Sequence, residues 1–534
     1  MTKLKQLFLK ILDKPLYFWG IVAVTFILAR VATWGYPFDS DHWIFYYVGK
    51  IWAHGGTLYL DAWDHKPPLI FLFNGLMSLV FGGNIIWHRI WLTLLSVVDI
   101  ALFWQLAKRV MPKLLSFRHS ELSEESSISS LSESIDSASQ RPGPFVPLRV
   151  TTRADLAAKV ALLLYVFWRN LSQFTSSGNN TENYGLIFFL GMWLSYLSFR
   201  KDQKWWKFLI SGACFSCLFF LKGNFLLLGV PIGILLLVDN WKSIRKFFGY
   251  GIIFVIPLFA QLGWWLYYFN SKGALNDFFI ASFQFSAKYS GSAWSGDVSS
   301  NIVLLLTTLI FLLPALLFFV VYLLDAKKNI KNHDYLLIGL TFLMGLGLTI
   351  GVGSFYPYYF LIFMPVSVLI LTYGLFRIQT LNKYLKILFY LGLAGSMLLS
   401  YGISLKQLYN SIGGSVVVEA QEYREVAAYV NENTEVTDKV FAYDYGATFY
   451  QLSNRDSGSR FISASVLLLE NRDNYGFGFD DIFIADMEKS QPEYIVVYTD
   501  RDSLYYDNKP IVEYLDEHYV LDKTFTKFSV LKRK

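Results

Sequence analysis

The chain of 534 residues is 54% hydrophobic and 16% charged, with a mean hydropathy of +0.38, where a soluble globular chain carries roughly 25% charged residues. That excludes an ordinary soluble enzyme and indicates a polytopic membrane protein, in which 16 Trp and 34 Tyr suit rings placed at membrane interfaces. The net charge of +6 is no nucleic-acid signal, because the basic residues sit in short loops between apolar segments.

A bilayer core of about 30 Å needs about 20 mostly apolar residues in a helix. In chain order the segments near 16–34, 86–107, 157–174, 183–199, 208–222, 224–238, 247–269, 301–324, 335–352, 358–376 and 385–405 answer to this, giving an expected eleven spans. The first has no convincing cleavage site after it and is expected to be a retained anchor. After it comes a long loop, 35–85. Residues 41–54 of that loop combine helical spacing with many rings, which predicts a helix lying in the interface. The loop closes on "YLDAWDHKPPLIF" (59–71), where two aspartates, a histidine, a lysine and a double proline crowd between apolar stretches.

The next connection, 112–150, holds a Ser- and Glu-rich run (116–145) with few large apolar residues. It cannot bury a core and is expected to be a disordered cytoplasmic insert. A tolerated insertion accounts for it more simply than a regulatory role. Cys214 and Cys217 form a C-x-x-C inside an apolar span with no second pair, and are expected to be small buried hydrophobes.

Lys and Arg fall in alternate loops: "RKDQKWWK", "KSIRK", "KKNIK" and "RIQTLNKYLK", with Lys3, Lys5, Lys10 and Lys14 at the start. "TSSGNNTEN" and "GSFYP", on the other side, have none. This bias predicts a cytoplasmic N-terminus in the plasma membrane. Residues 1–405 hold 33 basic and 19 acidic residues, and residues 406–534 hold 14 and 22, so two different bodies meet near residue 406. The second, outside the membrane, reads as a small α/β domain. "REVAAYVNEN" and "PIVEYLDEHY" are predicted helices; "KVFAYDY", "YIVVYTD" and "KFSVLK" are predicted strands. "NYGFGFDD" reads as a flexible loop. The tail shows no nucleotide fingerprint and no Ser/His/Asp set.

Ionisable groups gather at the outer ends of the spans. Asp39 and Asp41 follow the first; Asp61, Asp64 and Lys66 precede the second; Glu182 lies beyond the third and Lys222 ends the fifth. Arg30 and Arg89 sit just inside the first two. Charges beside spans are costly and point to a site, although each alone also fits a snorkelling or helix-ending residue. Lipid phosphate lies at this depth, and a lysine binds it as a compact point charge. Pro67 and Pro68 hold the backbone extended behind Lys66, and a nearby carboxylate suits a general base.

The loop "DHWIFYYVGKIWAHGGTLYLDAWDHKPPLIF" resembles the GT-C superfamily of membrane glycosyltransferases, in its protein O-mannosyltransferase-like and aminoarabinose-transferase-like branch. There an Asp, often Asp-Glu, follows the first span, with an interfacial helix, G-x-x-x-Y-x-D and K-P-P or K-G-P after it. Asp41, Tyr59, Asp61, Lys66 and Pro67 fall on that pattern. Glu182 resembles its second acid, "LKGN" at Lys222 its K-G turn, and "FYPYYF" (355–360), with Tyr358, its late outside loop. His42 stands where many members have Glu, and Asp39 is the alternative carboxylate. The resemblance covers about residues 16–376. It implies an all-α polytopic GT-C fold and a polyprenyl-phosphate sugar donor, with inverting transfer to an acceptor hydroxyl on a glycan, a lipid-linked glycan or a protein. Asp41 would act as base, with Asp39 as its alternative, and Lys66, helped by Lys222, Arg89 or Arg30, would meet the phosphate. Glu182, Asp61, Asp64, Tyr59, His42 and Tyr358 would serve sugar, acceptor or metal. A divalent cation is used by some members, so the resemblance implies one as an option rather than a requirement. Acceptor choice is expected to lie in loop 271–300 and the tail. Two rival readings are a transporter or flippase for a lipid-linked sugar, which should show inverted repeats and broken midplane helices, and a membrane-anchored binding or assembly protein.

Overall fold

The computed structural model describes residues 11–35, 40–130, 146–292, 298–325, 332–351, 355–378, 382–413, 415–443, 446–462, 464–499 and 508–534. Asp39 and residues 131–145 of the Ser/Glu-rich insert lie outside them.

The membrane part is a helix bundle. Its first helix, Pro15–Gly35, opens on a proline at a position where a missing N–H costs nothing. Among the described residues six helices are both long and apolar enough to cross a bilayer: 15–34, 85–115, 244–271, 333–351, 357–377 and 383–410. This corrects the expected eleven. Apolar helices Leu69–Phe81, Trp205–Leu221, Gly223–Asp239 and Leu312–Leu324 are shorter. The helices Val146–Asn170 and Thr181–Asp202 are long but carry several charged or polar residues, so hydrophobic runs in the sequence overstated them. One such charge is answered inside the bundle: Arg169 Nη2 lies 2.6 Å from Asp99 Oδ2, with both side chains fully buried. Tyr165 donates to the same carboxylate at 3.0 Å, which a buried charge pair requires if it is not to destabilise the fold.

The loop 35–85 is more ordered than its sequence suggested. It holds two helices, Ser40–Ala53 and Leu69–Phe81, which cross at glycines. A Cβ on Gly49 would stand 2.6 Å from the backbone nitrogen of Gly75 and 2.7 Å from the Phe71 carbonyl. Only glycine permits that approach. The helix from Ile85 continues to Ser130, so the insert, expected to be disordered throughout, begins as helix.

Beyond the last membrane helix, Ser415–Glu432 leads into an α/β unit. Its five strands are β1 (Lys439–Ala442), β2 (Asp456–Ser457), β3 (Tyr494–Tyr498), β4 (Tyr519–Thr524) and β5 (Phe528–Arg533). They run in the order β2-β1-β3-β5-β4. β1 is parallel to β2 and β3, and β5 is antiparallel to β3 and β4. The predicted helices and three strands are present; β2 is too short to leave a pattern, and the exposed β4 lacks alternation.

The α/β unit sits on the loop helices. The Trp63 N–H donates to the Arg460 carbonyl at 2.8 Å, and the Ser457 N–H donates to the Tyr47 hydroxyl at 2.7 Å. The Trp63 ring packs against Phe285, Phe461 and Phe479. "NYGFGFDD" is therefore no free loop. Phe479 is buried in this cluster, and Glu470 accepts the N–H groups of Phe477 and Phe479.

Candidate active site

Asp41 lies in the first turn of the helix Ser40–Ala53, where the helix dipole favours negative charge. The Tyr358 hydroxyl reaches its Oδ2 at 3.5 Å. Glu182 lies in the first turn of Thr181–Asp202, a helix capped by the Asn180 side chain accepting from the Asn183 N–H. Lys222 ends the helix Trp205–Leu221. Its ammonium is 2.7 Å from Glu182 Oε1 and 3.7 Å from the centre of the Tyr359 ring. Lys66 comes in from the loop. These four, with Tyr358 and Tyr359, line one cavity of about 380 Å³. Four distant stretches of chain thus deliver two carboxylates and two ammonium groups to one space. The α/β unit closes its rim with Ser465 and Leu469. A second space of about 300 Å³ shares Lys66, Lys222, Tyr289 and Tyr359, and is walled by Phe219, Phe283 and Pro67.

Lys66 is held by its backbone. The Tyr59 hydroxyl donates to its carbonyl at 2.8 Å and meets Ser282 Oγ at 3.1 Å. The Lys66 N–H donates to Asp64 Oδ1 at 3.0 Å. The lysine ammonium has no carboxylate partner among the described residues; His65 Nε2 is its hydrogen-bond neighbour. Asp64 is buried and its carboxyl is pushed above its ordinary value by that burial, against the pull of the Lys66 charge and N–H. Burial, with the Lys66 and Lys222 charges adding to it, holds the His65 imidazole well below its ordinary value, which suits a neutral partner for the ammonium.

Several residues expected at the site stand elsewhere. Arg30 points to Asn170 Oδ1 at 3.5 Å, and Arg89 donates to the Thr33 carbonyl at 2.8 Å. Both are buried among helix ends and neither lines the cavity, because each satisfies the backbone or side chains of neighbouring spans. His42 is buried beside His88, 3.2 Å between ring nitrogens, and does not line the cavity. Asp61 accepts the Thr57 N–H at 2.6 Å and so closes the loop turn. Tyr59 and Asp64 reach Lys66 without lining the cavity. Among the described residues no group of three or more His, Cys, Asp or Glu gathers as a cation site. Sequence reasoning did not single out Tyr359, Tyr289 or Ser465: it named only the segments that hold them, the "FYPYYF" run, loop 271–300 and the tail.

Residues 420–534 match the family described as "Putative competence-induced protein Ccs4 C-terminal domain". No curated protein matches the chain in sequence. Among solved structures, the apo form of ArnT from Cupriavidus metallidurans aligns with a TM-score of 0.53 at 12% identity, covering 96% of each chain. The same enzyme bound to undecaprenyl phosphate gives 0.52 at 12%, over 96% of this chain and 97% of that one. The Archaeoglobus fulgidus oligosaccharyltransferase gives 0.51 at 10%, over 98% and 74%. The chain shares the overall fold of these ArnT and oligosaccharyltransferase structures.

Proposed function

We propose that the chain transfers a sugar from a polyprenyl-phosphate donor to an acceptor hydroxyl at the outer face of the membrane, with inversion. The observation that carries this is the meeting of Asp41, Lys66 and the Lys222–Glu182 pair in one cavity, within a fold shared with a structure that holds undecaprenyl phosphate. The acceptor oxygen attacks the anomeric carbon as the bond from that carbon to the phosphate oxygen breaks. Asp41 takes the hydroxyl proton; a free aspartate has a pKa near 3.9, so it assists late in the step. The departing phosphate keeps the electron pair, and its charge is met by Lys66 and Lys222. Glu182 keeps Lys222 in place. Tyr59 and Asp64 position Lys66 through its backbone. The space walled by Phe219 and Phe283 takes the lipid side of the donor, and Ser465 and Leu469 face the acceptor.

The test is donor consumption. Purified protein in detergent should release polyprenyl phosphate from a polyprenyl-phosphate sugar, and the glycoside formed should have the opposite anomeric configuration. A transporter or an assembly protein leaves the donor intact, and retention of configuration contradicts the single displacement.

A further inference from the structure

The helix Thr181–Asp202 carries Glu182 at one end and Ser198, Arg200 and Lys201 at the other. Eighteen residues separate Glu182 from Arg200, roughly 27 Å at about 1.5 Å per residue, which is close to the thickness of a bilayer core. A cavity of about 910 Å³ opens at the far end, lined by Arg109, Lys113, Arg200, Lys201 and Lys207, with Asp334 as its only lining carboxylate among the described residues. The loop charges predict a cytoplasmic position for this end.

The cations fall into two groups. Asp334, with its side chain 5% exposed, receives Lys113 at 2.6 Å and Arg200 at 3.2 Å. Arg200 also faces Asp239, and Lys207 faces Asp202. Those pairs fix the frame. Arg109 is different: it donates to the Ser198 hydroxyl at 2.8 Å and the Leu194 carbonyl at 3.2 Å, both neutral, and has no carboxylate partner among the described residues. Lys201 has none either. Two cations are thus held at a pocket of ligand size with their charge unanswered.

A second observation fixes the level in the membrane. Trp205 and Trp206, beside Lys207, are 59% and 45% exposed, and the Lys207 ammonium lies 5.4 Å from the Trp206 ring centre. Exposed tryptophans mark the headgroup plane, and basic pockets between helices on that face suit phosphorylated headgroups. We infer that this cavity binds a phosphate-bearing anion, supplied by the headgroup of an anionic membrane lipid, on the face opposite the proposed transfer site. Arg109 and Lys201 are its contacts, and Arg200 and Lys113 are its scaffold.

The full-length protein in detergent is titrated with short-chain phosphatidylglycerol, phosphatidylcholine and inorganic phosphate, and binding is read by native mass spectrometry. Phosphatidylglycerol should bind, and Arg109→Gln/Lys201→Gln should weaken it about 20- to 30-fold, at roughly fivefold for each cation near a membrane surface. Lys201→Gln alone, at an exposed position, should cost about fivefold with the thermal midpoint unchanged. Arg109→Lys should retain most of the binding. Equal affinity in the double variant and the wild type overturns the site. Phosphatidylcholine binding as well as phosphatidylglycerol overturns the headgroup charge as the recognised feature, and inorganic phosphate binding as tightly as the lipid overturns the lipid as its source. None of these readouts uses donor turnover, so this inference and the proposed transfer stand or fall separately.

Discussion

The two ends of one helix, Thr181–Asp202, put charge to opposite uses. At the Glu182 end, opposite charges are paired and enclosed: the Glu182 side chain is 1% exposed and its partner Lys222 is 14% exposed. At the Arg200 end, like charges are gathered in an open cavity and only some are neutralised. A buried pair is costly to desolvate and fails when one member is lost. A basic cluster at an interface tolerates single losses, because each charge adds a modest increment. In the proposed transfer the first arrangement holds reacting groups in a fixed geometry, and in the inferred lipid site the second holds an anionic headgroup.

If the ends differ in this way, the largest single effect belongs to the enclosed one. Lys222→Met leaves Glu182 buried without its partner and should lower stability by about 3 kcal/mol, near the low end for breaking a buried pair, because Lys222 faces a cavity. Adding Glu182→Gln should recover most of that loss in thermal unfolding while transfer stays low. A single variant as stable as the wild type would make the pair no different from a surface one.

Lys66→Met comes next. A charged hydrogen bond contributes about 1.5–3 kcal/mol, so donor affinity should fall roughly 10- to 100-fold. Asp64 bonds the backbone N–H of Lys66, so adding Asp64→Asn should restore nothing. Recovery toward wild-type affinity in the double variant would mean that the lysine charge only balances Asp64.

Acid should act on the enclosed end first. Burial holds His42 well below its ordinary value, and the charge of His88 and then of Arg89 adds to this. His65 is lowered too. The unfolded chain therefore binds more protons below about pH 6.5, and stability falls as pH drops through that value, by at most about 1.4 kcal/mol per pH unit for each histidine. Unfolding midpoints at pH 7.5, 6 and 5 should decline, and His42→Gln should make the slope shallower. A slope unchanged in the variant would contradict the burial assignment.

The smallest effect is expected of Tyr59→Phe. It removes the hydroxyl that holds the Lys66 carbonyl and meets Ser282. At about 1 kcal/mol for a hydrogen bond, donor affinity should drop about fivefold with little change in stability. No change in affinity would separate the Lys66 backbone from the site.

Much of the enclosed end was legible in the sequence, because its residues fall in short motifs: Asp41 ahead of an aromatic helix, Lys66 before a double proline, Glu182 after "NNT". Their convergence followed from where spans end. Arg30 and Arg89 share that depth, but helix rotation turns them toward Asn170 and Thr33, and depth alone does not encode rotation. The number of spans was overstated because hydropathy does not see where a helix stops. The helix Leu69–Phe81 went unseen, since its apolar run was read as part of a loop, and its glycine crossing depends on packing against the preceding helix, which hydropathy does not report. The basic pocket was visible only as loop charge, as it is assembled from four helices.

The most direct measurement concerns Asp41. Asp41→Asn keeps the shape and removes the ability to take a proton. With a polyprenyl-phosphate sugar and purified protein, transfer should fall at least about 100-fold, the low end for a general base, while donor affinity and the unfolding midpoint stay at wild-type values. Transfer at the wild-type rate in this variant would contradict the assignment of the reaction to this cavity.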